Sequence, residues 1–192
     1  TVRAVSVVET PVKIKEGRWP FCGNCHTYVM YPRGLARIGG LRWADIGIKW
    51  SNIEREKGHY ANLPDLARFH KEGMKCKLTL GHFPSAPEWA WDQNDMADCK
   101  KRKIKEPRFG FLPSEENMEE WRKFIRYVAN SCKGKVDIIE FGAEDDLTFG
   151  GNSYYLQKQK DSENINLGKL TGGLDYRRYA EMIRIACEET KK

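Results

Sequence analysis

Apolar positions along this chain change period again and again, from every second residue to every third and fourth. Residues 1–18 alternate loosely through Val2, Ala4, Ser6, Val8, Val12 and Ile14, and read as a strand or linker ahead of a main domain over 19–192. From Trp19 onward the pattern is strand then helix. Strands are predicted over 20–28, 41–48, 75–80 and 136–141. Helices are predicted over 32–38, closed by Gly39-Gly40, and over 63–71, with Pro64 in its first turn and Gly73 past its end. A further helix starts at Ser114 as N-cap, with Glu115 and Glu116 in its first turn. It puts Trp121, Phe124, Ile125 and Val128 on one face and ends at Gly134. The last helix, over 175–190, groups Tyr176, Tyr179, Ala180, Ile183 and Cys187. Two long polar stretches, 92–113 and 148–173, read as loops.

Strands alternating with helices imply an α/β fold with a parallel sheet and right-handed crossovers. No glycine-rich phosphate loop follows any strand, which removes the support for a nucleotide-binding doubly wound sheet. The long loops follow strands and precede helices, as in a TIM (β/α) barrel, where they form the C-terminal face. The pattern fits about the first four β/α units of such a barrel. The chain has 192 residues, whereas a closed eight-stranded barrel takes about 250. It therefore reads as the N-terminal half, with unpaired sheet edges that call for the remaining half of the barrel or for self-association.

Composition changes this picture little. Apolar residues make up 40% and charged residues 31%, a globular balance. No apolar run approaches the roughly 18 residues of a membrane span. The net charge of +6 is mild. The basic run from Lys100 to Lys105 reads as a solvated loop. Nucleic-acid binding ranks last, because no aromatic residue is interleaved in that run.

The candidate chemistry is concentrated at the fourth strand. Val136-Asp137-Ile138-Ile139-Glu140-Phe141 runs into Gly142-Ala143-Glu144-Asp145-Asp146, an apolar strand leading into clustered carboxylates. A glycosidase needs a carboxylic acid held at a strand end to protonate the leaving oxygen, and neighbouring carboxylates with partial burial raise its pKa. A solvated acidic turn or a cation site explains the same pattern about equally well. Cys22-Gly23-Asn24-Cys25-His26 has the spacing of c-type haem attachment. The strand-like surroundings argue against haem, and no second ligand pair supports zinc. A disulfide or redox pair between Cys22 and Cys25 is the better alternative to plain structure. No metal and no cofactor are expected. Cys76, Cys132 and Cys187 sit in apolar patterns and read as buried small hydrophobes.

Several segments carry a family resemblance. Arg42-Trp43-Ala44-Asp45-Ile46-Gly47-Ile48-Lys49-Trp50-Ser51-Asn52-Ile53-Glu54, followed by Gly58-His59-Tyr60, is similar to the second-strand segment of clan A glycoside hydrolases. Leu78 to Ala90, with Pro87-Glu88-Trp89-Ala90, resembles their third-strand segment, and Glu140 with Glu144 resembles the fourth. Phe21 to His26 is a looser match to the first. The resemblance is strongest to family 39-like retaining enzymes and covers about residues 19–190. It implies hydrolysis of O-glycosyl bonds in poly- or oligosaccharides, with Glu144 as general acid/base. It also implies that Arg42 supports the nucleophile, that His26 and His82 contact sugar, and that Trp50, Trp89 and Trp91 offer ring faces. Glu140 and Ala143 lie beside the acid/base in the same segment. A secreted or periplasmic location follows from the same likeness. Two departures stand out. Ala143 replaces the family's Asn, which holds the sugar 2-hydroxyl in the transition state. The nucleophile belongs to a seventh strand, which this chain does not reach. This chain alone is therefore expected to be inactive, and a non-catalytic carbohydrate-binding protein on a degenerate barrel is the alternative.

Overall fold

A computed structural model of the chain describes residues 22–23, 43–80, 85–103, 111–141 and 176–191. Four parallel strands form one sheet: β1 (Cys22–Gly23), β2 (Trp43–Ile48), β3 (Lys75–Leu80) and β4 (Ile138–Phe141). Each strand pairs with the next in sequence, in the order β1-β2-β3-β4. The expected parallel α/β arrangement is thus present as a small sheet with helices. The proposed strand and helix over 1–21 and 24–42, and the loop over 148–173, lie outside the described residues.

Register and burial separate the two faces of the sheet. Ala44, Ile46 and Ile48 of β2 align with Cys76, Leu78 and Leu80 of β3, and all six are buried. Ile139 and Phe141 of β4 continue that face. The helices cover it: α1 (Trp50–Ile53), α2 (Ala67–Lys71), α3 (Gln93–Lys101), α4 (Met118–Cys132) and α5 (Tyr176–Thr190). Trp50, Phe69, Phe124, Ile125 and Met182 fill the space between. Buried apolar area of this kind is the main stabilising term, at about 25 cal/mol per Å². The opposite face carries Asp45, Lys77, Thr79 and Glu140, so the sheet is apolar on one side and charged on the other.

Some elements differ from expectation for identifiable reasons. The helix foreseen over 63–71 starts only at Ala67. Residue 61 is held by tertiary bonds instead: its N–H donates to Ile53 O, and its carbonyl accepts from the Tyr127 hydroxyl. Pro64 therefore lies in the connection ahead of the helix rather than in its first turn. The stretch beginning at 92 is not all loop. Asp92 caps α3, accepting from the N–H groups of Asn94 and Asp95. Lys100 and Lys101 sit in the last turn of α3, where positive charge suits the carbonyl end of a helix. The basic run is in part a helix end rather than a loop.

The apolar face expected on the helix containing Trp121 is confirmed in full, and Cys132 joins it. On α5 the buried face is rotated. Met182, Ile185, Ala186 and Glu189 are buried, whereas Ala180 and Cys187 are exposed. Pairing with α4 sets this rotation. The Trp121 indole donates to Met182 O at 2.9 Å, and Glu189 is held by Arg122 at 3.0 Å and Arg126 at 2.8 Å. Cys187 is thus not the buried hydrophobe its pattern indicated, while Cys76 and Cys132 are.

Candidate functional site

The segment after β2 folds into a compact knot around one carboxylate. Glu54 is fully buried. It accepts from the Trp50 indole at 2.6 Å and from Gly58 N–H at 2.8 Å, and its charge reaches the Tyr60 hydroxyl. Gly58 has φ +79, the left-handed conformation that glycine adopts without a Cβ penalty. Trp89 donates to Glu54 O at 3.2 Å and meets the edge of Trp50 at 5.7 Å. The motif Trp50, Glu54, Gly58, Tyr60 is therefore a structural device that fixes the chain leaving β2. Trp50 is 2% exposed and packed against Trp121 and Phe124. Both of its faces are covered, which corrects its expected role as a sugar platform: it is core. Burial, reinforced by the charges of Glu54 and Glu120, pushes the Tyr60 hydroxyl up to about 12.

The charged sheet face bears a ladder across three strands. Lys77 Nζ lies 2.9 Å from Asp45 Oδ2 and 2.8 Å from Glu140 Oε2. Thr79 Oγ1 is 2.7 Å from Asp45 Oδ1 and 2.9 Å from Glu140 Oε2. A hydroxyl has one hydrogen, so Thr79 serves one carboxylate at a time while the Lys77 ammonium compensates both. The hydrogen bond from Lys77 holds the Glu140 carboxyl below its usual range. Glu140 is thus an ionised acceptor one residue before the end of β4, able to accept from a hydroxyl but unsuited to donate. The foreshadowing in the sequence was slight: a lone Asp inside β2 and alternating Lys75, Lys77 and Thr79 along β3.

Trp89 and Trp91 follow β3, on a single turn of helix (Glu88–Ala90) and just beyond it. They line an open cleft of about 770 Å³ with Asp92, the Ser114–Asn117 turn, Arg177 and Arg178. Its walls begin α3, α4 and α5, helices that start where parallel strands end. Arg178 ties α5 to the start of α3, bonding to Asp92 at 2.6 Å and closely to Asp95. Residue-by-residue reading of the sequence pointed to Trp89 and Trp91 but not to Asp92 or Arg178, which are more than 80 positions apart in the chain.

Glu144, Ala143, Arg42, His26 and His82 lie outside the described residues. In sequence His26 follows β1, His82 follows β3 and Glu144 follows β4. Arg42 immediately precedes β2. Among the described residues no group of His, Cys, Asp and Glu is arranged to hold a metal ion, and no helix is long and apolar enough to cross a membrane.

No protein-family model and no curated protein matches the chain. Solved structures resemble it only in part. Fpglu1 from fervidobacterium pennivoraus aligns with TM-score 0.45 and 16% identity, covering 79% of this chain and 36% of that one. A family 39 glycoside hydrolase from the gut symbiont Bacteroides cellulosilyticus WH2 aligns with TM-score 0.42 and 15% identity, covering 79% of this chain and 24% of that one. The chain thus spans about a third and about a quarter of these two proteins.

Proposed function

We propose that this chain is part of a carbohydrate-active (β/α) barrel, a retaining glycoside hydrolase in which Glu144 is the general acid/base. The observation that carries the reading is the sheet order. Four parallel strands added in sequence, with helices on one face, follow the winding of a barrel rather than a doubly wound sheet, whose order reverses. In that winding the sequence after β4 belongs to the active face, and it contains Glu144. In the mechanism, Glu144 protonates the glycosidic oxygen as the bond breaks, then takes the proton of the attacking water. Glu140, ionised and held by Lys77, keeps a negative charge near the start of that segment, which favours the protonated form of a neighbouring acid. The nucleophile comes from the remaining part of the barrel, which also pairs with the edge of β4, or a second copy covers that edge.

A cationic, polyhydroxylated cyclic amine tests the role of Glu144. Its affinity should fall about tenfold in Glu144→Gln, the loss of one charge-assisted hydrogen bond. The second reading, a non-catalytic carbohydrate-binding protein, is favoured by Ala143 in place of Asn. It predicts that neutral oligosaccharides bind and that Glu144→Gln changes nothing.

A further inference from the structure

We propose that the cleft between Trp91, the Ser114–Asn117 turn and Arg177 binds neutral sugar residues of an oligosaccharide chain. It would act as a subsite displaced from the reacting bond, and the proposal rests on the carbohydrate reading above. Four features of the cleft support it.

The tryptophans are fixed and their polar atoms are spent inward. The Trp91 indole donates to Ala86 O at 2.9 Å and the Trp89 indole to Glu54 O. Lys57 lies over the Trp89 ring at 5.7 Å, so the ring carbons of Trp91 are what remains for a ligand, and Trp91 is half-buried rather than sealed. Trp91 is braced from one side by Phe111, edge to face at 5.5 Å. A braced, half-open aromatic surface suits the apolar C–H face of a pyranose.

The rim supplies hydrogen-bonding groups in excess of its own needs. The Asn117 amide donates to Ala90 O and to the Ser114 hydroxyl. That leaves the Asn117 carbonyl oxygen to accept and the Ser114 hydroxyl to donate. Glu115, Glu116 and Arg177 are exposed at the same rim. Carboxylates and a guanidinium together match vicinal hydroxyls, which both donate and accept.

Charge selects the ligand class. Arg178 is engaged with Asp92 and Asp95. Among the described lining residues Asp92, Glu115 and Glu116 outnumber Arg177 and Arg178, so this part of the rim is net negative. Phosphates and uronates are repelled, and neutral sugars are not. The open form of the cleft admits a chain passing through, rather than an enclosed small cofactor.

The chain is titrated with cello-, xylo- and mannohexaose, with tryptophan fluorescence and sugar NMR line widths as readouts. Saturable binding of at least one is expected. It should weaken about tenfold in Trp91→Leu, the scale of one stacking contact, and about threefold in Arg177→Ala. Arg177 is exposed, so its removal should leave the thermal midpoint in place and keep the test independent of folding. Unchanged binding in both variants overturns the cleft assignment and leaves the Glu144 reading standing. No binding of any hexaose, or binding only of polygalacturonate, overturns the cleft as well. Failure of the broader reading shows separately, as cyclic-amine affinity indifferent to Glu144→Gln.

Discussion

At the scale of single residues, Glu54 determines most. A buried carboxylate is tolerated only when its oxygens are satisfied, and here the Trp50 indole and the Gly58 N–H satisfy one each. Glu54→Ala should cost about 2–4 kcal/mol, because it leaves a buried indole N–H unpaired beside a new cavity. Glu54→Gln should cost less, and urea midpoints distinguish the two. Tyr60 adds a pH dependence. Its folded pKa of about 12 lies above the ordinary tyrosine value of 10.0. The unfolded chain therefore loses this proton first as pH rises. The stabilisation is fully present below pH 10.0 and lost as pH climbs through about 12. Tyr60→Phe should flatten that alkaline limb of the stability curve, measured by urea melts at stepped pH. The thiols offer a third check. Burial pushes Cys76 up to about 12 and Cys132 up to about 11, so native protein should resist alkylation at both, while exposed Cys187 reacts. Site-resolved mass spectrometry after brief iodoacetamide treatment reads this directly.

At the scale of elements, the informative contrast is between α4 and the elements sequence reading missed. The face of α4 was legible because Trp121, Phe124, Ile125 and Val128 repeat at helical spacing and every one is buried. The helix α3 was not legible. Its signal was a cap at Asp92 and two polar turns, with only Cys99 and Asp95 buried, and apolar periodicity cannot report such a helix. The face of α5 was misjudged because its position is set by ion pairs. Glu189 points inward to Arg122 and Arg126 in place of an apolar residue. The Asp45–Lys77–Glu140 ladder was likewise invisible, since cross-strand register decides it and register is absent from a linear pattern. Lys77→Met should leave two carboxylates facing each other without a cation. Glu140, which Lys77 holds low, should then titrate at higher pH than in the parent, seen by carboxyl NMR; an unchanged titration would contradict the ladder.

At the scale of the whole molecule, β4 has a neighbour only on its β3 side among the described residues, and Ile138 is 43% exposed there. An open parallel edge of this kind recruits another strand. We expect weight-average mass in sedimentation to rise with concentration, and Ile138→Lys to suppress the rise. A concentration-independent monomer would count against the incomplete-barrel account. The winding of the sheet was readable in the strand–helix alternation. The site was readable only through Trp89, Trp91 and the acidic run after β4, because its other walls come from distant parts of the chain. The central claim remains the role of Glu144, and calorimetric titration with a cationic iminosugar tests it most directly. Affinity should rise with pH as the carboxyl ionises, and should drop about tenfold with the pH dependence abolished in Glu144→Gln. Equal affinity of the two proteins across the same pH range would contradict it.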